Sequence, residues 1–428
     1  MRYIAAFLLA LLLPPAAQAQ DATAKPETKG EYLARAGDCV ACHSVADGKP
    51  FAGGLKMGSP LGAIYSTNIT PGKETGIGLY SLDDFDKALR KGVARDGHRL
   101  YPAMPYPSYA KLSDEDVKAL YDFFMKEVPA ARQANLDPEI PKLLRWRWPL
   151  AVWNAMFTDK QGFTADPKHD APWNRGAYLV QGLGHCGACH TPRGWAFQEK
   201  ALDDSGTAFL AGANLDGWYA ASLRQNLATG LGGWSAAEIT EFLKTGHNVH
   251  GSAYGSMLDV VNNSTSYLTD EDLAAIGTYL KSLPADKTEP AYAYDASTAT
   301  MLAGGHPPDP GAALYATTCQ SCHRETGGGS PPFVAPLAGN PTVLTKDASS
   351  LINIVLNGSQ PLVPLGVPEA YRMPQFRAQL TDQQIAEVVT FMRQAWGNKA
   401  DPVTAKEVAE LRKSTDPSSD QVVILRMR

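Results

Sequence analysis

The chain has 428 residues, 44% of them hydrophobic, with 39 basic against 44 acidic side chains and a formal charge of −5. This mild acidity argues against a nucleic-acid partner, and no Gly-rich phosphate loop or dinucleotide fingerprint points to a bound nucleotide or flavin. The length allows about three domains of 100–150 residues each.

The first element is a leader. Met1 to Ala19 combines Arg2, a short apolar run from Ile4 to Leu13 and the small-x-small site Ala17-Gln18-Ala19, the pattern of a cleaved secretory signal. The run is too short to span a bilayer, and no second stretch of about twenty apolar residues follows. Removal of Arg2 with the leader brings the exported chain to −6. The bacterial periplasm is the expected setting. There, free cysteine pairs usually become disulfides.

Cysteine usage is unusual for such a compartment. The six cysteines form three motifs and nothing else: Cys39-Val40-Ala41-Cys42-His43, Cys186-Gly187-Ala188-Cys189-His190 and Cys319-Gln320-Ser321-Cys322-His323. Residues three apart share one face of a helical turn. Two thiols so placed can each form a thioether with one edge of a flat macrocycle, and the next residue's imidazole can reach a central iron. Cys-x-x-Cys-His is the attachment pattern for c-type haem. Bare Cys-x-x-Cys pairs can instead close a zinc site. The histidine after every pair, and the separation of more than a hundred residues between pairs, favour haem.

Around each motif the sequence repeats. Opening helices are expected at Gly30-Glu31-Tyr32, Arg175-Gly176-Ala177-Tyr178 and Gly311-Ala312-Ala313-Leu314-Tyr315. Each carries an aromatic ring, read as helix core packed against a closing helix and a haem edge. The closing helices align residue by residue from Leu112-Ser113, Leu268-Thr269 and Leu380-Thr381. Ser113, Thr269 and Thr381 are N-caps. Gln384 completes a capping box, with Asp116 and Asp272 as shorter variants. The apolar stripes Val117, Leu120, Phe124; Leu273, Ile276, Leu280; and Ile385, Val388, Met392 have helical spacing.

Between the first two repeats, Trp146, Trp148 and Trp153 form a cluster. It reads either as an interfacial anchor or docking face, or as a seal for the joint; the usual burial of Trp favours the seal. The second connector, Pro284 to Pro310, reads as extended. After Trp396, Val403 to Lys413 suggests a last helix and Gln421 to Arg428 a short strand.

A histidine-bound iron that only transfers electrons needs a second axial ligand, and a thioether raises its potential. Met104 and Met373 both precede proline shortly before a closing helix; proline disfavours helix at the residue before it and so holds each methionine in a loop. In the second repeat Met257 is followed by Leu258, with His247 and His250 as rivals. In the first the rivals are Met57 and His98. With both axial positions filled, such an iron has no open site for oxygen or peroxide.

Three stretches carry a resemblance to a known family: Ile64-Tyr65-Ser66-Thr67-Asn68-Ile69-Thr70-Pro71, the segment Leu100 to Tyr109 with Met104-Pro105 at its centre, and Gly182 to Arg193 around the second motif. They resemble the tri-haem cytochrome c subunits of bacterial membrane-bound dehydrogenases for alcohol, gluconate and fructose, over nearly the whole exported chain. The resemblance implies an all-α fold of three tandem class I cytochrome c domains. The expected division is leader 1–19, first domain 20–135, Trp-rich connector 136–171, second domain 172–288, linker 289–305, third domain 306–400 and tail 401–428. It implies three covalent haems c on Cys39, Cys42, Cys186, Cys189, Cys319 and Cys322. The iron ligands are then His43 with Met104, His190 with Met257, and His323 with Met373. It also implies a large dehydrogenase subunit holding PQQ or FAD, with a small subunit as a further candidate partner. Electrons pass to ubiquinone at the periplasmic face of the cytoplasmic membrane, and this chain itself does not oxidise the organic substrate. Two other readings stand beside it: the cytochrome subunit of an aldehyde dehydrogenase or molybdenum hydroxylase, and a free-standing haem enzyme with one open haem in the second repeat.

Overall fold

In the computed structural model the described residues are 28–59, 62–158, 162–215, 217–364 and 371–416. The expected leader, 1–19, and the expected strand from Gln421 to Arg428 lie outside them. The chain is helix-rich. Among the described residues the departures from an all-helical fold are two antiparallel hairpins, Lys56–Ser59 with Gly62–Tyr65 and Ala213–Leu215 with Trp218–Ala220.

One helix crossing occurs three times. Opening helices Lys29–Ala36, Ala171–Tyr178 and Pro310–Thr318 pack on closing helices Asp114–Lys126, Asp270–Ser282 and Asp382–Gln394. At each crossing the opening helix presents a glycine. A Cβ on Gly30 would stand 2.4 Å from the Ala119 carbonyl oxygen, one on Gly176 2.0 Å from that of Ala275, and one on Gly311 2.3 Å from that of Glu387. Those three carbonyls occupy the same position relative to the caps Ser113, Thr269 and Thr381. Glycine inside a helix ordinarily costs about 1 kcal/mol relative to alanine; here it permits backbone contact that any side chain would prevent. All nine residues of the three apolar stripes are buried.

The caps behave alike, but the residues they cap do not. Ser113, Thr269 and Thr381 accept from the backbone N–H of Asp116, Asp272 and Gln384. Only Gln384 reciprocates, accepting from the Thr381 N–H at 3.0 Å. Asp116 and Asp272 do not form the expected shorter boxes; each accepts a hydroxyl from the other repeat. Tyr178 donates to Asp116 at 2.7 Å, and Tyr32 donates to Asp272 at 2.6 Å. The same hydroxyls accept the cap N–H groups of Ser113 (3.1 Å) and Thr269 (3.3 Å). Tyr32 and Tyr178 stand two residues after Gly30 and Gly176, so the exchange has approximate two-fold symmetry. Arg175 adds a bidentate pair to Asp272, at 2.7 Å from each nitrogen.

Packing follows from this exchange. The first two repeats share one core, in which Leu33, Leu120 and Phe124 meet Leu179, Leu273 and Tyr279. The third has Ala313 in place of the tyrosine and a core of its own around Tyr315, Ile385 and Trp396. Its ring therefore behaves as expected of helix core, while Tyr32 and Tyr178 serve as cross-links.

The connectors also depart from expectation. Pro284 to Pro310 contains the helix Ser297–Ala303, and Tyr292 donates to the Trp396 carbonyl at 2.6 Å, tying this stretch to the third core. In the first connector, Trp153 seals the joint: its Nε1 donates to the Ala196 carbonyl at 2.9 Å. Trp146 and Trp148 are exposed instead. The last helix runs Ala405–Ser414 and is held to the third closing helix by Arg412 and Asp382, 2.6 Å apart.

Candidate haem-binding sites

Each Cys-x-x-Cys-His segment folds as one helical turn: Cys39–His43, Gly187–His190 and Gln320–His323. The approach to the turn differs. The crossing glycine precedes the first cysteine by nine residues in the first repeat, ten in the second and eight in the third. A left-handed residue absorbs the surplus in the first two, Asp38 at φ 47° and His185 at φ 36°. In the second repeat a π-helical turn, Leu179–Leu183, takes up one more. Such turns are single-residue insertions that concentrate near functional sites.

The histidines share one arrangement. His43 Nδ1 lies 2.7 Å from the Thr67 carbonyl, His190 Nδ1 2.7 Å from that of Ala221, and His323 Nδ1 3.1 Å from that of Ala335. A carbonyl only accepts, so Nδ1 carries the proton and Nε2 keeps its lone pair. This is the outer contact that orients a metal-binding imidazole and raises its basicity. Burial holds all three rings below the usual histidine range, against a smaller upward pull from the carbonyls. They stay neutral, as metal ligation requires.

Burial pushes the Cys39, Cys42 and Cys186 thiols up to about 12 and Cys319 up to about 11. For Cys42, Asp38 and the Cys189 thiol add to burial. Asp38 is itself held well above the carboxylate range by burial and by Asp259.

In the second repeat Cys186, Cys189, His190 and Met257 line one cavity of about 280 Å³, walled mainly by apolar side chains such as Leu231 and Ile276. Ala36 and Asp38 of the first repeat and Asn340 and Thr342 of the third also reach it. Met257 opens the helix Met257–Asn263 instead of sitting in a loop. His250 lines the same cavity, but its ring stacks on Trp234 at 4.7 Å and its Nε2 lies 3.1 Å from Glu238. His247 is buried beside Phe333, with ring centroids 6.1 Å apart.

In the third repeat Cys319, His323 and Met373 share a cavity of about 40 Å³ with Leu351, Val355 and Met392. Ser359 pins Met373 on both sides, accepting its N–H at 2.8 Å and donating its own to the Met373 carbonyl at 3.0 Å. In the first repeat Cys39 and Met104 pack at the edge of the shared core. His98 is exposed and bonded to Asp96, and Met57 lies in the first hairpin opposite Ile64. Apolar walls, paired thiols, a neutral imidazole and a thioether form a donor set that suits a covalently held iron macrocycle.

Some of these contacts had no signature in the sequence. Thr67, Ala221 and Ala335 act through backbone carbonyls, which every residue type offers. The supports are more specific. Buried Asn68 fixes the Thr67 segment by donating to the Ala131 and Gln133 carbonyls and accepting from the Thr70 N–H. Gly53, at φ 73°, lets the chain pass so close that a Cβ would stand 2.4 Å from the Thr67 carbonyl carbon.

The chain is similar to known proteins. The cytochrome c family matches residues 308–396. The chain is 49% identical over 411 residues to the gluconate 2-dehydrogenase cytochrome c subunit of Pantoea cypripedii, covering 94% of this chain and 92% of that one. It is 49% identical over 409 residues to the cytochrome c subunit of the quinone alcohol dehydrogenase of Gluconacetobacter polyoxogenes, covering 94% and 87%. Identity to the fructose dehydrogenase cytochrome subunit of Gluconobacter japonicus is 38% over 414 residues, covering 90% and 82%. The molecule is a c-type cytochrome. Within that class it belongs to the family of cytochrome c subunits of bacterial dehydrogenases, polypeptides that carry electrons and do not oxidise the organic substrate.

Proposed function

We propose that the chain is a periplasmic tri-haem relay, built as three cytochrome c domains (20–135, 172–288 and 306–400). It accepts electrons from a PQQ- or FAD-containing dehydrogenase subunit and delivers them to ubiquinone. Haem c supplies one-electron chemistry at its iron. The protein's part is to hold that iron between a nitrogen and a sulfur, exclude water and keep the sites close. The observation that carries the reading is the triple recurrence of a half-buried, neutral histidine whose Nδ1–H donates to a backbone carbonyl. It leaves Nε2 of His43, His190 and His323 for iron. Met104, Met257 and Met373 are assigned as the opposing ligands. The second position is assigned to the middle of the relay, because residues of all three repeats reach its cavity.

The substrate is assigned no further than alcohol, gluconate or a sugar. The relatives named for gluconate and for alcohol are equally similar to this chain. A free-standing haem enzyme would need an open position in the second repeat; Met257 in the same cavity as His190 supports a closed one. Carbon monoxide added to the reduced native protein tests this. The proposal expects unchanged spectra at all three sites, and stoichiometric binding at one site would replace it with the enzyme reading. Oxidised protein is also expected to show the thioether-to-iron band at an intensity corresponding to three ligands, and Met257→Ala to remove about one third of it.

A further inference from the structure

The connector helix Pro149–Phe157 is inverted relative to an ordinary surface helix. Its polar residue Asn154 is turned inward, accepting from the Tyr106 hydroxyl at 2.6 Å and donating to the Lys91 carbonyl at 3.0 Å. Val152 and Met156 stand outward. Trp146 and Trp148, just before the helix, are exposed as well. Phe157 meets the ring of Trp195 at 6.3 Å, which extends this surface onto the turn after the second motif, where Phe197 also projects. All six outward side chains are between 55 and 83% exposed. Phe197 holds a φ of 60°, a region that aromatic residues seldom occupy.

Charge distinguishes among possible covers. From Ile140 to Phe157 there are three cations, Lys142, Arg145 and Arg147, and no acidic residue, in a chain whose net charge is negative. Glu139, the nearest preceding acid, is engaged by Lys56 at 2.7 Å. Several exposed indoles flanked by cations match the headgroup region of a bilayer, where tryptophan concentrates and anionic lipid attracts Lys and Arg. No helix among the described residues is long and apolar enough to cross a membrane.

We infer that this face lies on an anionic lipid bilayer, with the connector helix in the interface plane and Trp146, Trp148 and Trp195 at headgroup depth. The inference deepens the proposed membrane placement but does not depend on the number of haems. It assigns the attachment to residues 142–157 and 195–197, beside the Tyr106 segment that follows Met104.

The test is co-flotation of the full-length holoprotein with vesicles of phosphatidylethanolamine and phosphatidylglycerol. Binding is expected in low salt and should weaken as salt rises. The double variant Trp146→Ser/Trp195→Ser should bind at least about tenfold more weakly, since each indole forfeits a buried apolar surface. Lys142→Ala/Arg145→Ala should lose affinity and flatten the salt dependence. Tyr371→Ser, an exposed aromatic elsewhere, should bind like the parent protein. Unchanged haem spectra in each variant separate loss of the surface from loss of the electron carrier. In the parent protein, brominated lipid should quench tryptophan fluorescence. Absent flotation, equal flotation of the tryptophan variant, or protection of this face by a dehydrogenase subunit and not by vesicles would overturn the inference.

Discussion

The first two repeats and the third solve the same packing problem differently. All three cross an opening helix over a closing helix at a glycine, and all three cap the closing helix with a hydroxyl. In the third, the residue three after the cap returns its side chain to the cap, and the helix start is self-contained. In the first two, the corresponding aspartates are exchanged with a tyrosine of the other repeat, and the two cores merge. A local capping device has become an interface, by Tyr32 and Tyr178 where the third repeat has Ala313. Residues of both neighbours reach the cavity of the second repeat, Ala36 and Asp38 from the first and Asn340 and Thr342 from the third.

The largest expected way to break this asymmetry is Asp272→Ala. It removes the acceptor of Tyr32 and both bonds from Arg175. A fully buried pair costs about 3–5 kcal/mol to break. Arg175 is 39% exposed and can recover water, so a loss of about 2–3 kcal/mol is expected. Calorimetry of the holoprotein should show the transition of the first two repeats shifted down and that of the third unmoved. Acid should act on the same contact. Burial raises the Asp272 carboxyl, but Arg175 and Tyr32 more than offset it and hold it below the usual carboxylate range. Its stabilisation is therefore fully present above the unfolded value of about 3.9 and is lost as pH falls through the lower folded value. Gln384 has no charge, so the third helix start should be indifferent to this titration.

Tyr178→Phe should cost about 1 kcal/mol, since Asp116 keeps Lys29 at 2.8 Å as a partner. Gln384→Ala should cost about 0.5 kcal/mol and lower only the third transition. If it lowered both transitions equally, the third core would not be independent.

The recurring parts were legible in the sequence because they are periodic or chemically specific. Cysteine spacing, hydroxyl caps and the stripe from Val117 to Phe124 each follow from helical geometry. What escaped were uses that depend on a distant partner. Asp116 and Asp272 look like capping residues because their positions are capping positions, and nothing local reveals a tyrosine arriving from another repeat. Trp146 and Trp148 looked like a seal because tryptophan is usually buried; only the inward turn of Asn154 shows the helix to be inverted. The carbonyls of Thr67, Ala221 and Ala335 are invisible for a simpler reason, since backbone groups carry no residue identity.

The central claim is that each of the three Cys-x-x-Cys-His motifs holds one covalently attached haem. Haem retained by the acid-denatured polypeptide, counted per chain by haemochrome absorbance and intact mass, tests it most directly. Three thioether-bonded haems are predicted, falling to two when Cys186 and Cys189 are both replaced by alanine. A wild-type chain holding fewer than three, or holding zinc at any of the motifs, would contradict it.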